Sequence, residues 1–140
     1  MTTPLITWDE TISIGVQEID DQHKRLLDLL NDVHQALESS CTHEEIGAAL
    51  RRLCDYTVDH FAAEEALMDV DIDAYAEYDQ HLSEHMQCTT VALDFLQTYS
   101  EGKDVDMPEF LRFVATWIRE HILQVDKTLG VFLLSRQAAS

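Results

Sequence analysis

The sequence predicts an all-α fold, an up-down-up-down four-helix bundle preceded by an N-terminal arm. Three observations lead there. The 140 residues hold only 4 glycines and 2 prolines, too few for a turn-rich sheet protein. Apolar side chains recur at helical spacing along four long segments. The breaks between those segments run to about four to eight residues, the length that joins antiparallel neighbours in a bundle. No internal repeat or linker divides the chain, so residues 1–140 read as one domain and residues 1–18 as its arm.

The arm reads as non-helical because Pro4, Gly15 and several β-branched residues weaken helix formation. Trp8, Ile12, Ile14 and Val16 are too apolar for a free tail, so the arm should pack across the bundle. The first helix should open near Asp20 or Asp21, either of which can cap it. Its inner stripe is Ile19, His23, Leu26, Leu27, Leu30, Val33, His34 and Leu37, and residues 39–42 form the break. Thr42 and Glu45 make a capping box for the second helix. Its stripe runs Ile46, Leu50, Leu53, Cys54, Thr57, His60, Phe61, Glu64 and Met68. An acidic turn at residues 69–73 should end it.

The third helix is expected over residues 75–99. Tyr78, His81, Leu82, His85, Cys88, Ala92, Phe95 and Leu96 face inward, and Gly102 lies where a helix would stop. Asp106, Pro108 and Glu109 supply a cap, a first-turn proline and a first-turn acid for the fourth. Phe110, Val114, Trp117, Ile118, His121, Val125, Leu129 and Phe132 line its inner face.

Bulk composition excludes several functions. A hydrophobic share of 46% is too high for disorder, and the formal charge of −18 disfavours nucleic acid and anionic membrane as partners. No apolar run approaches the roughly 18 residues of a membrane span, and the N-terminus lacks the pattern of a secretory signal. Cys41, Cys54 and Cys88 form no paired motif, which favours free thiols and a cytoplasmic location.

The chemistry gathers on the inner stripes. His60 and Glu64 stand one turn apart, as do His81 and His85; His121 and Asp126 follow, and His23 precedes them. A single histidine on an apolar face is usually a satisfied core residue. Five imidazoles and two carboxylates buried together are different: without a cation several would lack partners, each costing roughly 1–3 kcal/mol. The paired carboxylates would also raise each other's pKa. A cation removes both problems. No cysteine has ligand spacing, so structural zinc is disfavoured, whereas imidazole with carboxylate suits iron, zinc or manganese. Seven ligands exceed the needs of one tetrahedral ion and point to two ions bridged by the carboxylates.

One competing motif is present. His81, Glu84 and His85 match the inverted zinc-protease pattern. That reading leaves His23, His60, Glu64, His121 and Asp126 unused, and Glu84 is expected to be solvated. A geometric difficulty also stands: on an ideal helix His121 and Asp126 diverge by about 140°. Either the fourth helix widens locally, as π-bulges do, or Asp126 reaches the site from its flank.

Taken in order, Trp8, Gly15-Val16 and Ile19-Asp20-Asp21-Gln22-His23-Lys24-Arg25-Leu26 form the first part of a longer pattern. His60-Phe61-x-x-Glu64-Glu65-x-x-Met68 and Tyr75-x-x-Tyr78-x-x-His81-x-x-x-His85 continue it, and Trp117-x-x-x-His121-Ile122-x-x-x-Asp126 completes it. In these motifs the chain resembles the hemerythrins, and among them the single-domain bacterial branch. The resemblance implies a non-haem centre of two iron ions with an oxo or hydroxo bridge, binding dioxygen as a carrier, store or sensor. By that analogy His81, His85 and His121 hold one iron, His23 and His60 the other, and Glu64 and Asp126 bridge them. One coordination position then stays open, on the iron with two histidines, for dioxygen. Histidine-rich ligation favours reversible binding over cleavage of the O–O bond, compared with carboxylate-rich di-iron sites. The alternatives are a di-iron enzyme acting on peroxide or nitric oxide, and an oxygen-sensing module for a separate signalling protein.

Around the site, Trp117, Phe61, Tyr78, Leu82 and Ile118 are expected to form a dry wall. His34 and His43 lie outside the motifs; His34 should be a core or interfacial residue and His43 exposed. Cys88 stands where the family often carries an aromatic side chain, which would open the pocket. Ala76, where relatives often carry proline, bears only on how the third helix begins.

Overall fold

The computed structural model describes residues 3–69 and 75–139. Its elements are α1 (Gln17–Glu38), α2 (His43–Asp69), α3 (Tyr78–Ser100), α4 (Met107–His121) and α5 (Lys127–Ala139), with a short 3-10 turn at Glu10–Ile12. A π-helical turn, Ile122–Asp126, joins α4 to α5, so the two form one continuous rod. Four rods therefore make the bundle, with α1 packed on α2 and α4, and α2 packed on α3. Among the described residues no strand occurs, and no helix is long and apolar enough to cross a membrane.

Each rod buries the stripe that its periodicity marks. Leu26, Leu27, Leu30 and Val33 of α1 meet Leu50 and Leu53 of α2, with Ile118 and Ile122 of the fourth rod closing the same core. The start of α2 is built as expected. Thr42 N–H donates to Glu45 Oε1 at 3.2 Å and Glu45 N–H to Thr42 Oγ1 at 3.1 Å, a reciprocal box that satisfies two free helix-end donors. Asp106 caps α4 by accepting from Glu109 N–H at 3.0 Å, and Gly102 takes φ 78° just past α3.

Two expectations change. α1 opens at Gln17, with Val16 in the cap position and no side-chain cap. Asp20, expected to cap the helix, is buried in its first turn and reaches back to the arm, accepting from Ile14 N–H at 2.9 Å and Ser13 Oγ–H at 2.5 Å. α3 opens at Tyr78 rather than residue 75. The acidic turn at 69–73 lies, beyond Asp69, outside the described residues.

The arm packs across the bundle. Asn31 Oδ1 accepts from Leu5 and Ile6 N–H at 2.8 and 3.1 Å, and its Nδ2 donates to Ile6 O at 2.7 Å. Ile6, Ile12 and Ile14 are buried, and Lys24 Nζ lies 5.0 Å from the Trp8 ring centre. The arm crosses α5 at Gly130, where a Cβ would sit 2.4 Å from Ile14 O; only glycine fits that approach.

Candidate metal centre

Every rod contributes to one buried cluster. α1 brings His23, α2 brings His60 and Glu64, α3 brings His81 and His85, α4 ends on His121, and the π turn ends on Asp126. All seven are buried, Glu64, His81 and Asp126 completely. The i,i+4 pairs place both members on one face, as their spacing predicts. The His121–Asp126 pair needs the π turn, whose wider winding brings the residue five positions on back over His121. Of the two alternatives left open, local widening is the one the structure adopts.

Each carboxylate divides its two oxygens. Glu64 Oε1 lies 3.2 Å from His81 Nε2 and 3.0 Å from His85 Nε2, while Oε2 lies 3.2 Å from His60 Nε2 and 3.5 Å from His23 Nε2. Asp126 Oδ1 lies 3.0 Å from both His81 and His121 Nε2, and Oδ2 lies 2.9 Å from His23 Nε2. The donor atoms thus form two groups, His81, His85 and His121 on one side and His23 and His60 on the other, sharing Glu64 and Asp126.

Proximity alone does not satisfy these atoms. His23 Nε2, His121 Nε2, Glu64 Oε2 and both Asp126 oxygens are buried without a properly directed hydrogen bond. Buried polar atoms left in that state carry a heavy cost, and so many converging on one point fit a cation-binding cage. The outer ring nitrogens support the same reading. His60 Nδ1 lies 2.7 Å from Gln22 Oε1, His85 Nδ1 2.9 Å from Glu65 Oε2, and His121 Nδ1 3.0 Å from Glu84 Oε1. Donation from Nδ1–H to those acceptors leaves the Nε2 lone pair aimed inward, the tautomer a metal requires.

The charges respond to the crowding. Burial by itself would lower the pKa of His23 and His81, but the carboxylates of Asp126 and Glu64 outweigh it and raise both to about 9. His121 shifts upward for the same reasons. Glu64 falls well below the usual carboxylate range: burial opposes this, and the close imidazole nitrogens of His23, His60, His81 and His85 prevail. Asp126 is also lowered, against burial and the neighbouring Glu64, by His121 and His23.

Aromatic side chains seal one flank. Phe61 stacks on His85 with ring centres 3.9 Å apart, and Trp117 stacks on His121 at 4.5 Å. Phe61, Trp117 and Ile118 also line an apolar internal cavity that reaches His23, His60, His121 and Asp126. Tyr78 and Leu82 depart from the expected wall. Tyr78 is half-buried with its hydroxyl on Asp69 at 2.5 Å, and Leu82 lines a groove on the outer surface. The tyrosine beside the cluster is Tyr75, buried, its ring 6.4 Å from that of His81.

Glu84 also departs from expectation, being partly buried and holding His121 rather than solvated. Gln22, Glu65 and Glu84 are the residues that sequence reasoning missed. Each lies next to a ligand-type residue in the chain, and that adjacency was the available signal. His34 is half-buried outside the cluster, and His43 is exposed and stacks on Tyr99.

Comparison with known proteins gives a consistent result. The hemerythrin HHE cation binding domain matches residues 14–133. A bacteriohemerythrin of Methylococcus capsulatus is 34% identical over 127 residues, 90% of this chain and 95% of that one. A bacteriohemerythrin of Pseudomonas aeruginosa is 30% identical over 122 residues, 86% of this chain and 76% of that one. A solved wild-type hemerythrin superposes with a TM-score of 0.82 at 34% identity, covering 90% of this chain and 95% of its own.

Proposed function

This chain belongs to the hemerythrin family, and from that premise we propose that it binds dioxygen reversibly at a non-haem di-iron centre. The observation that carries the proposal is the division of Glu64 and Asp126, each of which turns one oxygen to either side of the cluster. A carboxylate so placed holds two cations at once. His81, His85 and His121 would ligate one iron and His23 and His60 the other, with an oxo or hydroxo group from solvent as the third bridge. Iron bound there supplies the electrons and the Lewis acidity that dioxygen binding requires.

The protein's own part is positioning and exclusion. Gln22, Glu65 and Glu84 fix three of the imidazoles by holding their Nδ1–H groups. Phe61 and Trp117 press flat against His85 and His121 and keep water from that flank. The cavity offers about 20 Å³ to the centre of a water-sized molecule, room for about one small ligand. It reaches His23 and His60 on one side of the cluster and His121 on the other, with Asp126 between them. Three cysteines without disulfides suit a cytoplasmic location, where thiols stay reduced.

The test is direct. Anaerobic protein loaded with ferrous iron should bind two irons per chain, develop a visible band on exposure to air, and lose it under argon. Colour that does not reverse would overturn reversible binding; steady consumption of peroxide or nitric oxide would make the protein an enzyme.

A further inference from the structure

We propose that dioxygen reaches the centre through the α3–α4 face, across a wall formed by Cys88, Val91, Phe113 and Trp117. The inference rests on the dioxygen-binding reading of the site and adds the route to it. On the inner side of that wall is the apolar cavity that touches His23, His60, His121 and Asp126. On the outer side is a surface groove of about 680 Å³, floored in part by Leu82 and Met86. All four wall residues line both spaces, so groove and cavity adjoin through these side chains.

The wall is uneven, and that decides which parts yield. Trp117 is pinned by its stacking on His121 and its edge contact with Phe61 at 5.8 Å. Cys88 is buried and short, so it blocks little. Val91 and Phe113 are 43% and 44% exposed, free to change rotamer on the ps–ns scale of surface side chains. These two form the movable part. The other end of the cluster is shut by Met68, Tyr75 and Leu129, all nearly inaccessible. An apolar passage of this kind admits a non-polar diatomic and disfavours ions, which would have to leave their hydration behind.

Two substitutions outside the ligand set test the route. Val91→Trp should thicken the wall and slow both binding and release of dioxygen roughly tenfold, a barrier rise of about 1.4 kcal/mol. Affinity should stay constant, because a gate acts on both directions alike. Phe113→Ala, a truncation of a solvent-facing ring, should quicken both rates. Stopped-flow absorbance of the iron-loaded protein reads these rates. Xenon NMR reads exchange of an inert gas with the same cavity, and that exchange should slow in Val91→Trp and quicken in Phe113→Ala. Xenon exchange indifferent to both variants would overturn the route. Exchange that follows the variants in a protein without reversible oxygenation would uphold the route and overturn the functional reading instead.

Discussion

His121 Nε2 and Asp126 Oδ1 lie 3.0 Å apart although Asp126 stands five positions further along the chain. The π turn at residues 122–126 makes this possible, and the rod resumes as an α-helix at Lys127. The turn also fixes what Asp126 can do, since its two oxygens face His81 and His121 on one side and His23 on the other.

Asp126→Asn tests that placement. An amide keeps the shape but replaces one anionic oxygen by a donor that no cation accepts. The expected result is loss of one metal of the pair, or metal affinity lower by at least an order of magnitude, as removal of a ligand charge produces. Iron analysis after gel filtration, with a chelator competition, measures it. Two tightly held irons in the variant would remove Asp126 from the bridging role.

Glu84 gives a second test, because it distinguishes two chemistries. Its contact with His121 Nδ1 makes it an orienting group; in a zinc-protease reading it would be a catalytic base. Glu84→Ala should lower metal affinity about 10–100-fold, the usual effect of losing a histidine's outer hydrogen bond. Glu84→Gln should recover most of it, since its carbonyl oxygen still accepts from Nδ1–H. Chelator titrations of the three proteins check this order.

Metal-free protein should lose stability as pH rises from about 6 to 9. His23 and His81 have folded-state values of about 9, above the ordinary 6.5, so their stabilisation is full below 6.5 and is lost through 9. Glu64 and Asp126 are lowered, so their contribution is present above the ordinary carboxylate range and is lost as pH falls through their folded values. Loading with metal near pH 7.5 should therefore release protons, and bound metal should flatten the alkaline decline. Urea unfolding at pH 6, 7.5 and 9 and a dye-monitored proton release measure the two effects.

The ligand stripe was legible because i,i+4 spacing is a property of the α-helix itself: His60 with Glu64 and His81 with His85 needed no knowledge of neighbours. His121 with Asp126 broke that rule, and the sequence could offer only the choice between a π turn and a flank approach. Asp20 read as a cap because an acid before an apolar stripe usually is one; its burial under the arm is a tertiary contact with no local sign. Asn31, which holds the arm, and Gln22, Glu65 and Glu84, which hold the imidazoles, act across elements. Polar residues of that kind look like solvated helix surface until the helices are docked. Tyr75 and Tyr78 changed roles because helix α3 opens at Tyr78, leaving Tyr75 free to turn inward before it.

The arm can be tested separately from the metal. Gly130→Ala would drive a methyl group to 2.4 Å from Ile14 O, and that oxygen belongs to backbone, which cannot swing aside. Overpacking at such a contact costs about 1–3 kcal/mol, so the midpoint of urea unfolding should fall by a matching amount. Gly102→Ala, where a Cβ meets nothing within 4 Å, serves as the comparison for backbone strain alone.

Cys88 poses the last question, whether its thiol or its size matters. Burial pushes its pKa up to about 12, with Cys54 adding to the effect, so it stays a protonated, weakly nucleophilic thiol. Size remains: Cys88 lines the cavity together with Trp117, and an aromatic ring in its place would reduce that space. Smaller space should hinder water and the departure of reduced oxygen species, so Cys88→Phe should slow autoxidation several-fold. Cys88→Ala, which removes the sulfur and keeps the space open, should oxidise at least as fast as the parent. Following the decay of the oxygenated spectrum in all three proteins separates the two explanations: slower decay in Cys88→Ala would implicate the thiol, and an unchanged rate in Cys88→Phe would show that cavity size does not control oxidation.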